Sequence, residues 1–240
     1  MNAPFPPIEP AGGSALWAGY LRAGLESVGS GHDGEVVGIG GSLDPASLLT
    51  AYRLGVFPMG LGEGGSAPMG WWCPTWRGVL VPGRVHVSRS LRRSMRRFTV
   101  TVDEAFPEVV AACGDPDREG HWITDDIATA YTELHALGWA HSIEVRDEAG
   151  DLVGGLYGVA IGGLFAGESM FHHATDASKA ALVHLDRLVS ADGDPRRIID
   201  VQWCTPHLGS LGIEEIHRHE YLARLPAALQ APALDLSSTT

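Results

Sequence analysis

Lysine is almost absent from this sequence, and cysteine is scarce. Of the 17 Lys and Arg residues only Lys179 is a lysine, and none of the 3 cysteines forms a C-x-x-C pair. Such sparse cysteines indicate a reducing compartment rather than a disulfide-stabilised secreted fold. No apolar run reaches the roughly 18 residues of a membrane-spanning helix. The first residues also lack the basic and apolar regions of a secretory signal. We therefore expect a cytoplasmic protein with no membrane segment.

Common catalytic signatures are missing too. The chain has neither the G-x-x-x-x-G-K-[ST] loop that cradles phosphates nor the G-x-S-x-G turn that presents a nucleophilic serine. None of its 11 histidines falls in a zinc-ligand pattern with the cysteines. These patterns predict that the protein holds no metal.

What the chain does contain is enough apolar sequence for a sizeable core. It has 240 residues, 45% of them hydrophobic, which fits one large domain or an ordinary domain with a small partner. Residues 1–14 and 226–240 are rich in small residues and proline, and we expect them to be unstructured. A Gly-rich segment at 60–70 leads to a boundary near residue 72. The predicted division is a small N-terminal domain (1–72), a larger domain (73–225) and a flexible tail (226–240).

Periodicity and end signals predict the secondary structure. Residues 45–54 read as a helix because Asp44-Pro45 supplies a start and Gly55 a stop. Thr124 and Gly138 bound a second amphipathic helix at 125–137 in the same way. Further helices are predicted at 104–113 and 176–189, and strands at 141–146, 151–160 and 198–203. This mixture indicates an α+β fold.

The charge distribution points in two directions. A formal net charge of −12 argues against a nucleic-acid partner. Six arginines nevertheless lie within residues 84–97, a stretch without any acidic residue. A solvated helix face is one explanation of such a run. A phosphate-binding surface is the other, because planar guanidinium groups make bidentate contacts with phosphate.

Polar residues interrupt two apolar, strand-like segments. Asp200 and Gln202 are two positions apart in the strand 198–203, so alternation predicts that they share one face. Glu168 lies in a second such segment, 165–171. Buried polar groups of this kind are costly unless they are paired or face a pocket. The three residues are therefore either a structural hydrogen-bond network or a site that positions an amine.

Taken in order, the motifs resemble the bacterial leucyl/phenylalanyl-tRNA–protein transferase family. The resemblance covers residues 36–225, and so many separate motifs in register make it specific. The motifs are Leu48–Met59, Trp71–Pro74, Ser88–Arg92, Trp122–Thr124, Ala130–Tyr131, Leu134–His135, Ala140–Val145, Leu152–Gly158, Gly167–Phe171, Ala177–Lys179, Asp200–Gln202 and Ser210–Gly212.

This resemblance implies that residues 1–72 form a small α/β domain and that residues 73–225 form a catalytic domain with the fold of the GCN5-related N-acetyltransferases. It implies transfer of Leu or Phe, and less readily Met, from aminoacyl-tRNA to proteins that begin with Arg or Lys, which marks them for degradation. It implies no metal and no acyl-CoA, and we expect a monomer. The pyrophosphate cradle [QR]-x-x-G-x-[GA] of CoA-using relatives is absent from the sequence, in agreement.

The resemblance also assigns roles to residues. Asp200, Gln202 and Glu168 match residues implicated in peptide-bond formation. The segment that receives the tRNA acceptor stem comprises Arg89, Arg92, Arg93, Arg96 and Arg97. The aminoacyl pocket comprises Trp122, Phe165, Met170, Leu182, Leu185, Ile199, Leu156 and Met59. Met59 and Leu156 stand where some members carry Trp and Met, and Thr205 where some carry Asn.

These assignments suggest a mechanism and leave two rival functions. Asp200 would orient the attacking amine, Gln202 would hold the amine or the ester, and Glu168 would hold Gln202. A CoA-dependent N-acyltransferase on the same fold is one rival, and a non-catalytic tRNA-binding module is the other.

Overall fold

The computed structural model describes residues 6–12, 15–29, 34–118 and 120–236. The predicted helices and strands form, because their end signals are local. The Asp44 side chain accepts a hydrogen bond from the backbone N–H of Ser47 at 2.9 Å and caps one helix, and Thr124 caps another. The helices are α1 (Ala15–Gly29), α2 (Pro45–Arg53), α3 (Arg89–Ser94), α4 (Phe106–Cys113), α5 (Asp125–Ala136), α6 (Ala177–Ser190), α7 (Pro206–Gly209) and α8 (Arg218–Leu229).

The strands form two sheets. A three-stranded sheet has the order β1-β3-β2, and a seven-stranded sheet has the order β10-β4-β9-β8-β7-β6-β5. The strands are β1 (Val36–Ile39), β2 (Phe57–Gly60), β3 (Met69–Trp72), β4 (Trp76–Leu80), β5 (Thr99–Val102), β6 (Ala140–Arg146), β7 (Leu152–Ile161), β8 (Leu164–His172), β9 (Ile198–Gln202) and β10 (Glu214–His217).

The larger sheet is mixed, as expected of an α+β protein. Among its described strands, β8 and β9 pair in parallel through the crossover helix α6, and every other neighbouring pair is antiparallel. The parallel pairing stops at Ala166 and Asp200. Beyond these residues the two strands separate, and the sheet has a gap between them.

Each of the two strands carries a β-bulge next to this gap. In β9, Gln202 pairs with Gly78 and Asp200 pairs with Val79, so Val201 is an extra residue. In β8, Gly167 and Ser169 pair with neighbouring residues of β7, so Glu168 is the extra residue. An extra residue reverses the alternation of side chains beyond it and re-aims them.

The apolar core lies on both faces of the larger sheet. One face packs against α6 through side chains such as Leu182, Leu185 and Ile199. The other face packs against α4 and α5, and the same cluster includes Leu48 and Tyr52 of α2. The N-terminal segment therefore shares a core with the rest of the chain, and the predicted division at residue 72 stays a prediction. None of the described helices is both long and apolar enough to cross a bilayer.

Three predictions about irregular segments differ from the structure. Segment 60–70 is predicted to be flexible, but it contains the ends of β2 and β3 and a 3₁₀ turn, Glu63–Gly65. The predicted flexible tail is wrong for residues 226–236, because α8 continues to Leu229 and Leu234 and Leu236 are buried. The predicted disorder of residues 1–14 is wrong at Ile8, which hydrogen-bonds the 137–139 segment. Residues 1–5, 13–14 and 237–240 lie outside the described part.

Candidate active site

A cavity of about 110 Å³ lies where β8 and β9 separate. Its walls are mostly apolar side chains from the strands, from α6 and from α7, and three polar residues, Glu168, Ser169 and Gln202, also line it. The complete lining is Leu156, Gly167, Glu168, Ser169, Met170, Leu182, Leu185, Ile199, Val201, Gln202 and Leu208. An apolar recess with a few converging polar groups is the usual form of a small-ligand site.

Two polar residues of the cavity lining have unsatisfied hydrogen-bonding atoms. The side chains of Gln202 and Glu168 are buried, and Nε2 of Gln202 and Oε1 of Glu168 have no partner among the described residues. Leaving such a group unpaired costs about 1–3 kcal/mol. Each of the two atoms has less than 1 Å² of accessible surface, so a ligand in the recess reaches them only after a local shift of side chains, and bonding to them would relieve these costs.

Asp200 does not line this cavity, although it is only two residues from Gln202. The bulge at Val201 places the two side chains on opposite faces of the sheet, so the prediction that they share a face is wrong. The link between them runs through the backbone, because Oδ1 of Asp200 accepts the Gln202 N–H at 2.9 Å. That bond holds Gln202 in the left-handed region, with φ at 59°.

The carboxylate of Asp200 is fully buried and fully paired. Nε and Nη2 of Arg77 donate to its two oxygens at 2.8 and 2.6 Å, and the Tyr221 hydroxyl donates to Oδ2 at 2.8 Å. Its relative exposure is 0%, so in this conformation it has no surface that a substrate could contact. Direct orientation of an amine by Asp200, expected from the sequence, therefore has no support in the geometry.

Arg77 is held as tightly as the carboxylate it pairs with. Its guanidinium lies over the ring of Phe57 at 4.8 Å and over the ring of Tyr221 at 4.5 Å, and its Nη1 donates to the Gly55 carbonyl. Burial alone would lower the pKa of Arg77, but the charge of Asp200 outweighs this effect and raises it. The pair is thus a permanent ion pair that joins β4 and β9 to the segment after α2.

Glu168 belongs to a second buried network. Its Oε2 accepts a hydrogen bond from the Tyr131 hydroxyl at 2.8 Å, and Tyr131 hydrogen-bonds to the Tyr52 hydroxyl. Burial raises the pKa of the Glu168 carboxyl to about 7, although the tyrosine hydroxyls oppose the shift. Glu168 therefore changes its charge near neutral pH, and a nearby cation would favour its ionised form.

Known proteins match this chain over most of its length. The sequence profile described as Leucyl/phenylalanyl-tRNA protein transferase matches residues 79–226, and the profile of that family's N-terminal domain matches residues 41–75. The chain belongs to this family. A curated leucyl/phenylalanyl-tRNA–protein transferase from Solidesulfovibrio magneticus is 48% identical over 81% of this chain and 78% of its own length. Another from Chromohalobacter salexigens is 50% identical over 80% and 75%.

Solved structures add little to this assignment. The structure of L-PGS from Bacillus licheniformis matches with a TM-score of 0.36 at 12% identity, over 70% of this chain and 55% of that one. The likeness is too weak to support a fold assignment.

The structure brings together five of the eight residues expected to form the aminoacyl pocket of this transferase family. Leu156, Met170, Leu182, Leu185 and Ile199 all line the cavity. The remaining three lie elsewhere. They are Phe165, buried in the core beside α6, Trp122, half-buried against the opposite cluster, and Met59, half-buried on β2.

The arginine run forms a short helix and the turn after it. In α3 the only buried side chain is Leu91, which anchors the helix to the core. The five predicted arginines at 89, 92, 93, 96 and 97 are all exposed, and none forms a salt bridge with a described residue. With Arg84, which is also exposed and forms no salt bridge within the described ranges, six exposed arginines occupy one short segment of an otherwise acidic transferase-family chain.

Sequence reasoning overlooked several residues of the site. Arg77 carried a usable signal, since a lone arginine within the apolar strand β4 needs a buried acidic partner. Tyr221 and Leu208 carried none that we recognise. No group of three or more potential metal ligands occurs in the ranges that the structure covers.

Proposed function

We propose that this chain transfers leucine or phenylalanine from aminoacyl-tRNA to the N-terminal amine of proteins that begin with Arg or Lys. The single observation that carries the proposal is the apolar cavity with two unsatisfied polar side chains, in a chain that belongs to the transferase family. The apolar wall suits the side chain of Leu or Phe. The polar residues suit the ester and the amine.

In the proposed reaction the acceptor amine attacks the ester carbonyl of the donor. A C–N bond forms, the ester C–O bond breaks, and the tRNA leaves with a free 3′ hydroxyl that takes up a proton. An N-terminal amine has a pKa of about 7.7–8.0, so a useful fraction is neutral near pH 7. Positioning can therefore supply much of the rate acceleration.

Gln202 and Glu168 supply this positioning. A side-chain shift on substrate binding exposes both unpaired atoms to the cavity. The Nε2 of Gln202 then donates a hydrogen bond to the ester or its developing oxyanion. The Oε1 of Glu168 accepts a hydrogen bond from an amine and attracts its positive charge. Asp200 acts indirectly, because it holds the backbone of Gln202 in place and is itself held in place by Arg77. In this mechanism Asp200 is a positioning residue.

The finer features implied by the resemblance belong to the same proposal. The tRNA acceptor stem would lie on the arginines of α3, whose exposed and unpaired state supports phosphate contacts over an ordinary ion-paired face. The mixed sheet with its parallel pair β8–β9, separated beyond Ala166, supports an acetyltransferase-like catalytic domain. We propose a cytoplasmic monomer that needs no bound cofactor and whose product enters protein degradation.

A transfer assay tests the proposal directly. The protein is incubated with radiolabelled Leu-tRNA or Phe-tRNA and a peptide that begins with Arg, and label in the peptide is measured. An otherwise identical peptide with an acetylated N-terminus is the control. We expect label only in the free-amine peptide. Absence of label with both donors, or label from acetyl-CoA instead, would reject the proposed reaction.

A further inference from the structure

Three basic residues lie on the elements that line the cavity, namely His172, Lys179 and His207. Each is close in sequence to a residue that lines it. His172 follows Met170 by two positions in β8, so alternation puts both on one face. On α6, Lys179 precedes Leu182 by three positions and shares its face one turn nearer the helix start.

The third basic residue is on α7, where His207 directly precedes the lining residue Leu208. On each of these elements the basic residue is more exposed than the neighbouring residue that lines the cavity. Met170 is half-buried and His172 is exposed, and His207 is exposed beside the half-buried Leu208. On each of the three elements, an apolar residue that lines the cavity therefore has a basic residue beside it. We call Lys179, His172 and His207 the basic rim.

The three side chains also come close to one another. Burial lowers the pKa of His207, and the neighbouring charges of Lys179 and His172 lower it further. One acidic residue lies among them, since Asp176 accepts a hydrogen bond from Lys179 Nζ at 2.8 Å. After the larger effect of Lys179, the nearby hydroxyl of Ser94 on α3 also lowers the pKa of Asp176, so the arginine helix adjoins these residues.

We propose that Lys179, His172 and His207 bind the phosphodiester group nearest the 3′ end of the donor RNA, an inference that rests on the proposed function. An aminoacyl ester bound in the cavity places the terminal ribose at its mouth, where the sugar and base carry no charge. The first anionic group of the donor then lies over the basic rim. Lys179 attracts this group with its positive charge, and the histidines donate hydrogen bonds to it.

This arrangement gives the donor two separate anchors. The arginines of α3 bind phosphates of the acceptor stem, whereas the rim fixes the last phosphate relative to the cavity. Fixing that phosphate restricts the orientation of the ester before the amine arrives. The rim therefore acts on the alignment of the donor end, and its effect requires that the donor carry a phosphate.

Two donors separate the proposal from a structural role of the same residues. One is Phe-tRNA, and the other is phenylalanyl-adenosine, which has the same ester and ribose but no phosphate. The test variant is Lys179→Gln, and a second variant, His207→Gln, checks the rim independently. The matched control is Arg187→Gln, which removes an exposed charge from the same helix about 12 Å further along.

For Lys179→Gln we expect kcat/KM to fall about three- to tenfold with Phe-tRNA and to stay within about twofold with phenylalanyl-adenosine. The salt dependence of Phe-tRNA binding should weaken by about one phosphate contact. Arg187→Gln should change neither donor. Equal losses with both donors, or no loss with either, would overturn the inference. If the wild-type protein transfers from neither donor, the proposed function itself fails.

Discussion

Replacing Arg77 by methionine leaves the buried carboxylate of Asp200 without its ion pair. Asp200 has no exposed surface, so water cannot replace the lost partner. Removing one member of a buried pair costs about 3–5 kcal/mol, out of a typical total of about 5–15 kcal/mol. For a chain of this size the midpoint of thermal unfolding should fall by about 6–20 °C.

A second substitution separates stability from activity. In Arg77→Met combined with Asp200→Asn no charge is left buried, so much of the lost free energy of unfolding should return. Asn keeps an oxygen that can accept the Gln202 N–H. Arg77→Met combined with Asp200→Ala is the matched control, because it also buries no charge but offers the N–H no acceptor.

The two double variants should differ in transfer rate as well as in stability. An unsatisfied buried N–H costs about 1–3 kcal/mol, which corresponds to roughly five- to 150-fold in rate if the displaced Gln202 destabilises the transition state. Urea unfolding gives the free energies, and single-turnover transfer from Phe-tRNA gives the rates. Equal rates for the Asn and Ala double variants would refute the positioning role. If Asp200 acted on substrate as a carboxylate, both double variants would be equally inactive.

Four further predictions concern the cavity and its surroundings. Glu168 and the acceptor amine both change their charge near neutral pH, and both must be deprotonated for the reaction. Below about pH 6.5 the logarithm of the transfer rate should therefore fall by nearly 2 for each pH unit in the wild type, and by about 1 for each pH unit in Glu168→Gln. Because burial raises the pKa of Glu168 to about 7 in the fold, ionisation disfavours folding, and the wild type should lose stability relative to Glu168→Gln as the pH rises through that value. Met170→Ala widens the cavity and should favour Phe-tRNA over Leu-tRNA, by no more than about 1–3 kcal/mol in the ratio of kcat/KM; an unchanged ratio would place the donor side chain elsewhere. Replacing four exposed arginines of the run by Ala should lower the salt slope of tRNA binding by about three, and an unchanged slope would show that the run is a solvated face; the four are Arg92, Arg93, Arg96 and Arg97.

Local signals explain why the elements were predictable from the sequence. A cap such as Asp44 contacts a backbone group three residues away, so the interaction can be read in a short window. The same applies to the hairpin of β6 and β7, whose turn at 147–150 is polar and ends in glycine. The tail was mispredicted because its buried leucines fit against distant parts of the chain, which no window contains.

The orientation of the site residues depends on register, and register is not local. Alternation puts Asp200 and Gln202 on one face unless a residue is inserted, and the insertion at Val201 depends on pairing with β4, more than 120 positions earlier in the chain. Gly78 accommodates it, because a Cβ there would lie 3.0 Å from the backbone of residues 203 and 204. Most of the residues that line the cavity were therefore named from the sequence and its family resemblance, whereas the face that each occupies was not.

Separating the two carboxylates has a chemical consequence. If Asp200 shared the cavity with Glu168, a second negative charge there would raise the pKa of one of the pair still further and make the amine harder to deprotonate. The bulge instead turns Asp200 toward Arg77, whose charge opposes the effect of Asp200 on the pKa of Glu168, and Asp200 also holds the Gln202 backbone. That hold offsets the cost of about 1–3 kcal/mol for a non-glycine residue in the left-handed region. Of the carboxyl groups, only Glu168 then lines the cavity, so the chemistry of the site requires the geometry of the two bulges as much as the residues themselves.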